Sequence, residues 1–181
     1  MKTLNPNLPD EGGNNVCIAR LLHLPHKILS HHDMDGLAQM VLHELGHHDA
    51  LSLQRAGYFI DNPDFDCLKG VAGYCSDECK MHKEDVWGAP ETFEQDMKDA
   101  QFHHQLKTFF QRSLPRKNGD EVDEEAVRAL GTTLGMKNPS FITWKMKHGN
   151  NGLLLFEDDN NAGLARRKDL LHNFAALLSL C

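Results

Sequence analysis

Residues 36–66 read GLAQMVLHELGHHDALSLQRAGYFIDNPDFD, and the fold class turns on where this stretch stops being a helix. From Gly36 to about Arg55 few breakers interrupt it. Leu37, Met40, Val41 and Leu42 are apolar, the pattern of a helix entering a protein interior. Asp33 or Asp35, just upstream, is the expected N-cap and would place negative charge at the helix start. Gly46, followed by the polar His48 and Asp49, would equally suit a helix end. GYFIDNPDFD (57–66) is then a short strand or turn, because Pro63 excludes a helix there.

Upstream, residues 1–15 are rich in Pro, Gly and Asn and read as an irregular leader. VCIARLLHL (16–24) and HKILS (26–30) have strand-like apolar content, interrupted by Pro25. Downstream, Ser76 is a plausible cap for a short helix over 76–86. Pro90, Glu91 and Thr92 open the clearest helix in the chain, with Phe93, Met97, Leu106, Phe109, Phe110 and Leu114 at helical spacing. PRKNGD (115–120) reads as a loop whose Asp120 caps a helix running to about Leu134. Ile142, Trp144 and Met146 alternate with Thr143, Lys145 and Lys147, the period of a half-buried strand. HGNNG (148–152) then turns the chain into LLLF (153–156), which predicts a β-hairpin. A final amphipathic helix carries Leu164, Leu170, Leu171, Phe174, Leu177 and Leu178. The expectation is one domain over 1–181, α+β and predominantly helical, with short N-terminal strands and a C-terminal β-hairpin followed by a helix.

Composition narrows the function classes. The 181 residues carry 19 Lys and Arg against 26 Asp and Glu, a formal charge of -7. With no basic block, general nucleic-acid binding is not expected, since neutralising phosphates needs clustered positive charge. No stretch approaches the roughly 20 apolar residues of a membrane span, and the start has no apolar core of a secretory signal. Five cysteines, an odd number in a chain of this size, read as reduced thiols in the cytoplasm; export without a cleavable signal would leave the same pattern. The histidines are the oddity: of 12 in the chain, His23, His26, His31, His32, His43, His47 and His48 crowd into 23–48.

Within that crowd, His43-Glu44-Leu45-Gly46-His47 fits H-E-x-x-H. On a helix, residues advance about 100° each, so His43 and His47 project within roughly 40° of each other, one turn apart. Two imidazoles so placed can share a Zn²⁺ ion. Glu44 lies beside them, where a carboxylate can act as general base toward a metal-bound water.

MVLHELGHH resembles the active-site helix of zincin-type metallopeptidases over about a dozen residues. The resemblance implies His43 and His47 as zinc ligands, Glu44 as catalytic base, and Gly46 as the residue allowing close packing behind the metal. A catalytic zinc needs a third protein ligand, and the position where a third His would follow in metzincins is Leu53. A downstream acid is the remaining option: Glu78 first, with Asp77, His82 and Glu84 as competitors. The stretch from Glu78 to Pro90 is also weakly similar to the glutamate-bearing helix of the short ImmA/IrrE-like zincins. The expected function is a zinc-dependent hydrolase cleaving a peptide or protein substrate.

Two rivals come from the same region. One is a non-enzymatic helical regulator or binding module whose His cluster is structural. The other rests on HKILSHHDMDGLA (26–38), where Asp33 and Asp35 resemble the first motif of the DHH phosphoesterases. Paired carboxylates beside His suit Mn²⁺ and phosphate-ester hydrolysis, and Asp61 would be the second acid. No Asp-His-His follows. Cys67, Cys75, Cys79 and His82 form a further possible metal set, at spacings that fit no ordinary zinc finger; small buried apolar cysteines are the simpler reading.

Overall fold

Cys17, Leu21, Leu24 and Ile28 are all buried, and their spacing is that of a helix rather than of strand alternation. The N-terminal segment is accordingly helical: α1 spans Glu11–Leu22 and α2 spans Leu24–Ser30. Pro25 does not break the chain but occupies the first turn of α2, where its missing N–H would have no partner in any case. The structure, a computed structural model, describes residues 11–79, 85–117, 121–158 and 164–181. The expected N-terminal strands are therefore absent from the described residues, and 11–15 of the expected leader belong to α1; residues 1–10 lie outside the described set.

The next helix, α3, spans Leu37–Gly46 and gives way to β1 (Leu53–Asn62) and β2 (Cys67–Cys75), an antiparallel hairpin. Pro90 does start a helix, but it breaks at 98–100 into α4 (Pro90–Met97) and α5 (Gln101–Lys107). Phe110 belongs to the short β3 (Phe110–Gln111). A two-stranded ribbon, β4 (Arg116–Lys117) with β5 (Glu121–Val122), precedes α6 (Glu124–Thr133). Asp123 caps α6 through its bond from the Glu125 N–H; the expected cap, Asp120, lies outside the described residues. The C-terminal hairpin pairs β6 (Ser140–Lys145) with β7 (Asn151–Asp158), Ile142 opposite Leu154, and α7 (Leu164–Ala175) follows.

These strands make one five-stranded antiparallel sheet in the order β3-β2-β1-β7-β6. That corrects the expectation of a predominantly helical chain: the sheet is the central layer, and helices cover both faces. Ala56, Tyr58, Leu154 and Phe156 meet α1, α2, α3 and α7 on one face. Phe59, Leu153 and Leu155 meet α5 and α6 on the other. Burial on both faces explains why LLLF is a continuous apolar run instead of an alternating one. In β2, Leu68 faces the second layer while Ala72 and Tyr74 face the first. The parity changes at a bulge, where Tyr58 pairs with Ala72 and Phe59 with Gly70, leaving Val71 as the extra residue. Helix α5 then rests directly on β2: a Cβ on Gly70 would lie 2.0 Å from the Leu106 carbonyl oxygen. No helix among the described residues is long and apolar enough to cross a membrane.

Candidate functional site

Helix α3 stops at Gly46, one residue before the second histidine of the motif. His47 nevertheless keeps a helical φ of -56° while its ψ swings to 147°, and its N–H still bonds the His43 carbonyl at 3.0 Å. Its Cβ therefore occupies the next-turn position and only the following chain departs. The two imidazole centroids lie 6.3 Å apart. A tight turn then folds back, with the Ser52 hydroxyl on the His48 carbonyl and the Ala50 and Ser52 N–H groups on the His47 carbonyl.

The three motif side chains enter different surroundings. His43 is buried edge-on against the rings of Tyr74 and Phe93, with centroids 5.8 and 5.4 Å away. Gly46 lets Tyr74 press against the helix, since a Cβ there would sit 2.3 Å from the phenol ring. The Tyr74 hydroxyl in turn donates to the Gly46 carbonyl, and burial holds that phenol well above its usual proton affinity.

Glu44, with 0% exposure, is the hub of an ion-pair cluster. Arg20 of α1 reaches both oxygens, Nε to Oε1 at 2.7 Å and Nη2 to Oε2 at 3.3 Å. Lys27 of α2 lies 3.4 Å from Oε1, and the Trp87 indole N–H donates to Oε2 at 3.0 Å. Lys27 also sits over the Trp87 ring and 3.6 Å from Asp85. One carboxylate thus ties together α1, α2, α3 and the segment before α4.

The other predicted residues are placed elsewhere. Glu78 ends a 3-10 turn after β2, and both its oxygens accept from the Phe102 N–H at the start of α5. Asp77 pairs with Gln54; His82 and Glu84 lie outside the described residues. HKILS is helical, so Asp33 and Asp35 follow a helix and not the strand end expected for the phosphoesterase. Asp33 pairs with the neighbouring His32, while buried Asp61 anchors Ser113, Leu114 and Arg116. Neither acid caps α3, whose N-cap is Gly36 at φ +83° with no side-chain bond. Cys67 and Cys75 open and close β2, about 27 Å of extended chain apart, too far to share an ion. Burial pushes the Cys79 thiol up to about 12, with Cys75 and Glu78 beside it adding to the shift.

Among the described residues, one group of three possible ligands has its donor atoms within 4.8 Å of one another: His47, His48 and Asp49. His48 Nε2 lies 3.2 Å from Asp49 Oδ1, and His47 Nδ1 lies 3.8 Å from Asp49 Oδ2. Ligands about 2.1 Å from a tetrahedral zinc stand roughly 3.4 Å apart, a value that the two His–Asp49 separations bracket, each on a different oxygen of the carboxylate. The Asp49 N–H, which donates to His47 Nδ1 at 3.2 Å, would have to yield that lone pair. The group borders a cavity of about 530 Å³ whose other walls are Arg20, Lys27, Glu44 and Asp85.

The sequence reading missed Arg20, Lys27 and Trp87. The available signal was a cation inside each apolar run, Arg20 in VCIARLL and Lys27 in HKIL; a strand assignment hid that helical packing would turn both toward α3. Compared with family models, with curated proteins and with solved structures, the chain matches none.

Proposed function

We propose that the protein binds a divalent metal ion, zinc by its donor set, at the C-terminal end of α3 through His47, His48 and Asp49. The observation that carries this reading is the convergence of two imidazoles and a carboxylate on the wall of an open cavity. Two nitrogens and one oxygen suit Zn²⁺ and leave a fourth position for water or a ligand group. The helix C-terminus adds a negative partial charge beside the cation. His43 and Glu44 support the site from behind: the first packs the helix against the sheet, the second holds Arg20 and Lys27 at the cavity wall.

Peptide hydrolysis at this ion is the second reading. What favours it is the open cavity of about 530 Å³ that the three donors border, which gives a substrate a way to the ion. A bound metal would supply Lewis-acid chemistry there. Glu44 is a poor general base in this arrangement, because Arg20, Lys27 and Trp87 occupy both of its oxygens.

Zinc content measured by mass spectrometry on protein purified without chelator tests the proposal. Near one equivalent is expected in the wild type and in His43→Phe, and its loss in the His48→Ala/Asp49→Asn double variant. Metal that instead follows His43 or Glu78 would restore the HExxH ligand set. No uptake by any variant would overturn the metal reading and leave the histidines structural. Chelator-sensitive casein hydrolysis, lost in Asp49→Asn, is the outcome that the second reading requires.

A further inference from the structure

The central sheet ends on two strands of unequal reach. β3, at one edge, has two residues. β6, at the other, runs six residues, pairs only with β7 and keeps its register without a bulge. Folded proteins shorten, bend or cover such edges, because the outer N–H and C=O groups are a template for another strand. The hairpin shows which groups those are. The Met146 N–H bonds the Asn150 carbonyl at 2.9 Å across the turn, so by alternation Trp144, Ile142 and Ser140 are the residues bonded to β7. The N–H and C=O groups of Phe141 and Thr143 therefore point out of the sheet. They have no hydrogen-bond partner among the described residues.

Charge narrows what could pair there. From Ala126 to Phe156 the chain has no Asp or Glu but carries Arg128, Lys137, Lys145 and Lys147, in a protein of formal charge -7. Arg128 pairs with Glu124 along α6. Lys137 and Lys147 are exposed just before and just after β6, and neither has an ion-pair partner among the described residues. Two acids border the strand. Glu157 is buried with an oxygen on the Lys137 N–H, and Asp64 lies against Gly149 beyond the last lysine.

We infer that the outer edge of β6 binds an extended, acidic segment of another protein, which adds to the sheet as a further strand. Main-chain bonds to Phe141 and Thr143 hold the segment, and carboxylates toward its two ends meet Lys137 and Lys147. A second copy of this chain fits less well. Antiparallel pairing of β6 with itself sets the Lys137 end of one strand against the Lys147 end of the other, like charge on like. The edge shares no residue with the 47–49 group and does not depend on a metal.

The probe is a synthetic peptide of alternating Thr and Val with a Glu pair at each end, titrated into ¹⁵N-labelled full chain at low salt. Saturable shifts of the Phe141 and Thr143 amides are expected, with their hydrogen exchange slowed at least tenfold. The same peptide ending in Lys pairs should bind at least tenfold more weakly, as should one N-methylated throughout its centre, which cannot complete a ladder. The Lys137→Glu/Lys147→Glu double variant should reverse the preference between the Glu-ended and Lys-ended peptides. Thr143→Pro, at a position whose N–H points outward, should abolish binding; the charge reversal serves should that variant fold poorly. No saturable shift, equal affinity for the Lys-ended or N-methylated peptide, an unreversed preference, or a chain that sediments as a dimer unless Thr143 is Pro would overturn the inference.

Discussion

At the C-terminal end of α3 a fully buried carboxylate meets an arginine, a lysine and an indole, whereas near the N-terminal end a buried amide donor meets no partner among the described residues. The two polar side chains stand five positions apart on one helix, yet their energetics are opposite. Glu44 is costly to bury and is matched by charge-assisted bonds from three chain segments, so its role is to hold those segments together. Gln39 is also buried, but its Nε2 lacks that compensation, which costs stability. Satisfied polarity at one end builds the scaffold; at the other an unpaired buried donor weakens it.

The sharpest way to break this contrast is Arg20→Met. It removes the bidentate partner and leaves Glu44 in the interior with only Lys27 and Trp87, which should cost about 3–5 kcal/mol in urea denaturation. A loss below 1 kcal/mol would mean that the cluster is not a scaffold. Glu44→Gln should cost less, because Arg20 and Lys27 retain access to water.

A pH titration of stability addresses the packing of α5 on β2, where His103 Nδ1 accepts the Gly73 N–H. His103 is held at about 4 against about 6.5 when free, so between those values the unfolded chain gains a proton that the folded protein refuses. The contribution is complete above pH 6.5 and is lost as pH falls through 4, amounting to about 3 kcal/mol at the limit. Wild type minus His103→Leu, followed by chemical denaturation from pH 7 to 4, should show that slope; parallel curves would remove His103 from the buried set.

Gly46→Ala sets the helix end against the sheet. With Tyr74 2.3 Å from the new methyl, overpacking should cost about 1–3 kcal/mol and lower the melting temperature. The smallest change expected is Gln39→Leu, a gain of about 1 kcal/mol from removing an unpaired buried amide. A loss instead would show that Gln39 is satisfied in solution and would dissolve the contrast between the two ends.

Legibility in the sequence followed the range of the interactions. The C-terminal hairpin was readable because Ile142 and Trp144 alternate locally with polar residues and HGNNG turns the chain. The body of α3 and the neighbourhood of His43 and His47 were readable because i and i+4 meet on any helix. The N-terminal strands were misassigned because Val16, Ile18 and Ile28 favour strands locally, while the buried series Cys17, Leu21, Leu24 and Ile28 acts only against α3 and the sheet. β2 was overlooked because its alternation is reversed by the bulge at Val71. Glu78 was the first choice of downstream acid for a third ligand, but its oxygens meet the start of α5.

By itself the sequence determined the mixed α+β character and the crowding of histidines in 23–48; it ran the helix to about Arg55 and offered Gly46 as the alternative end, which is where α3 stops. Only tertiary structure decided that five strands form one central sheet and that His43 lies among aromatic rings. It also decided that Glu44 is taken by Arg20, Lys27 and Trp87. The physical reason is that a side chain's periodicity is set by its own backbone, but its role is set by the groups that burial brings against it from distant segments.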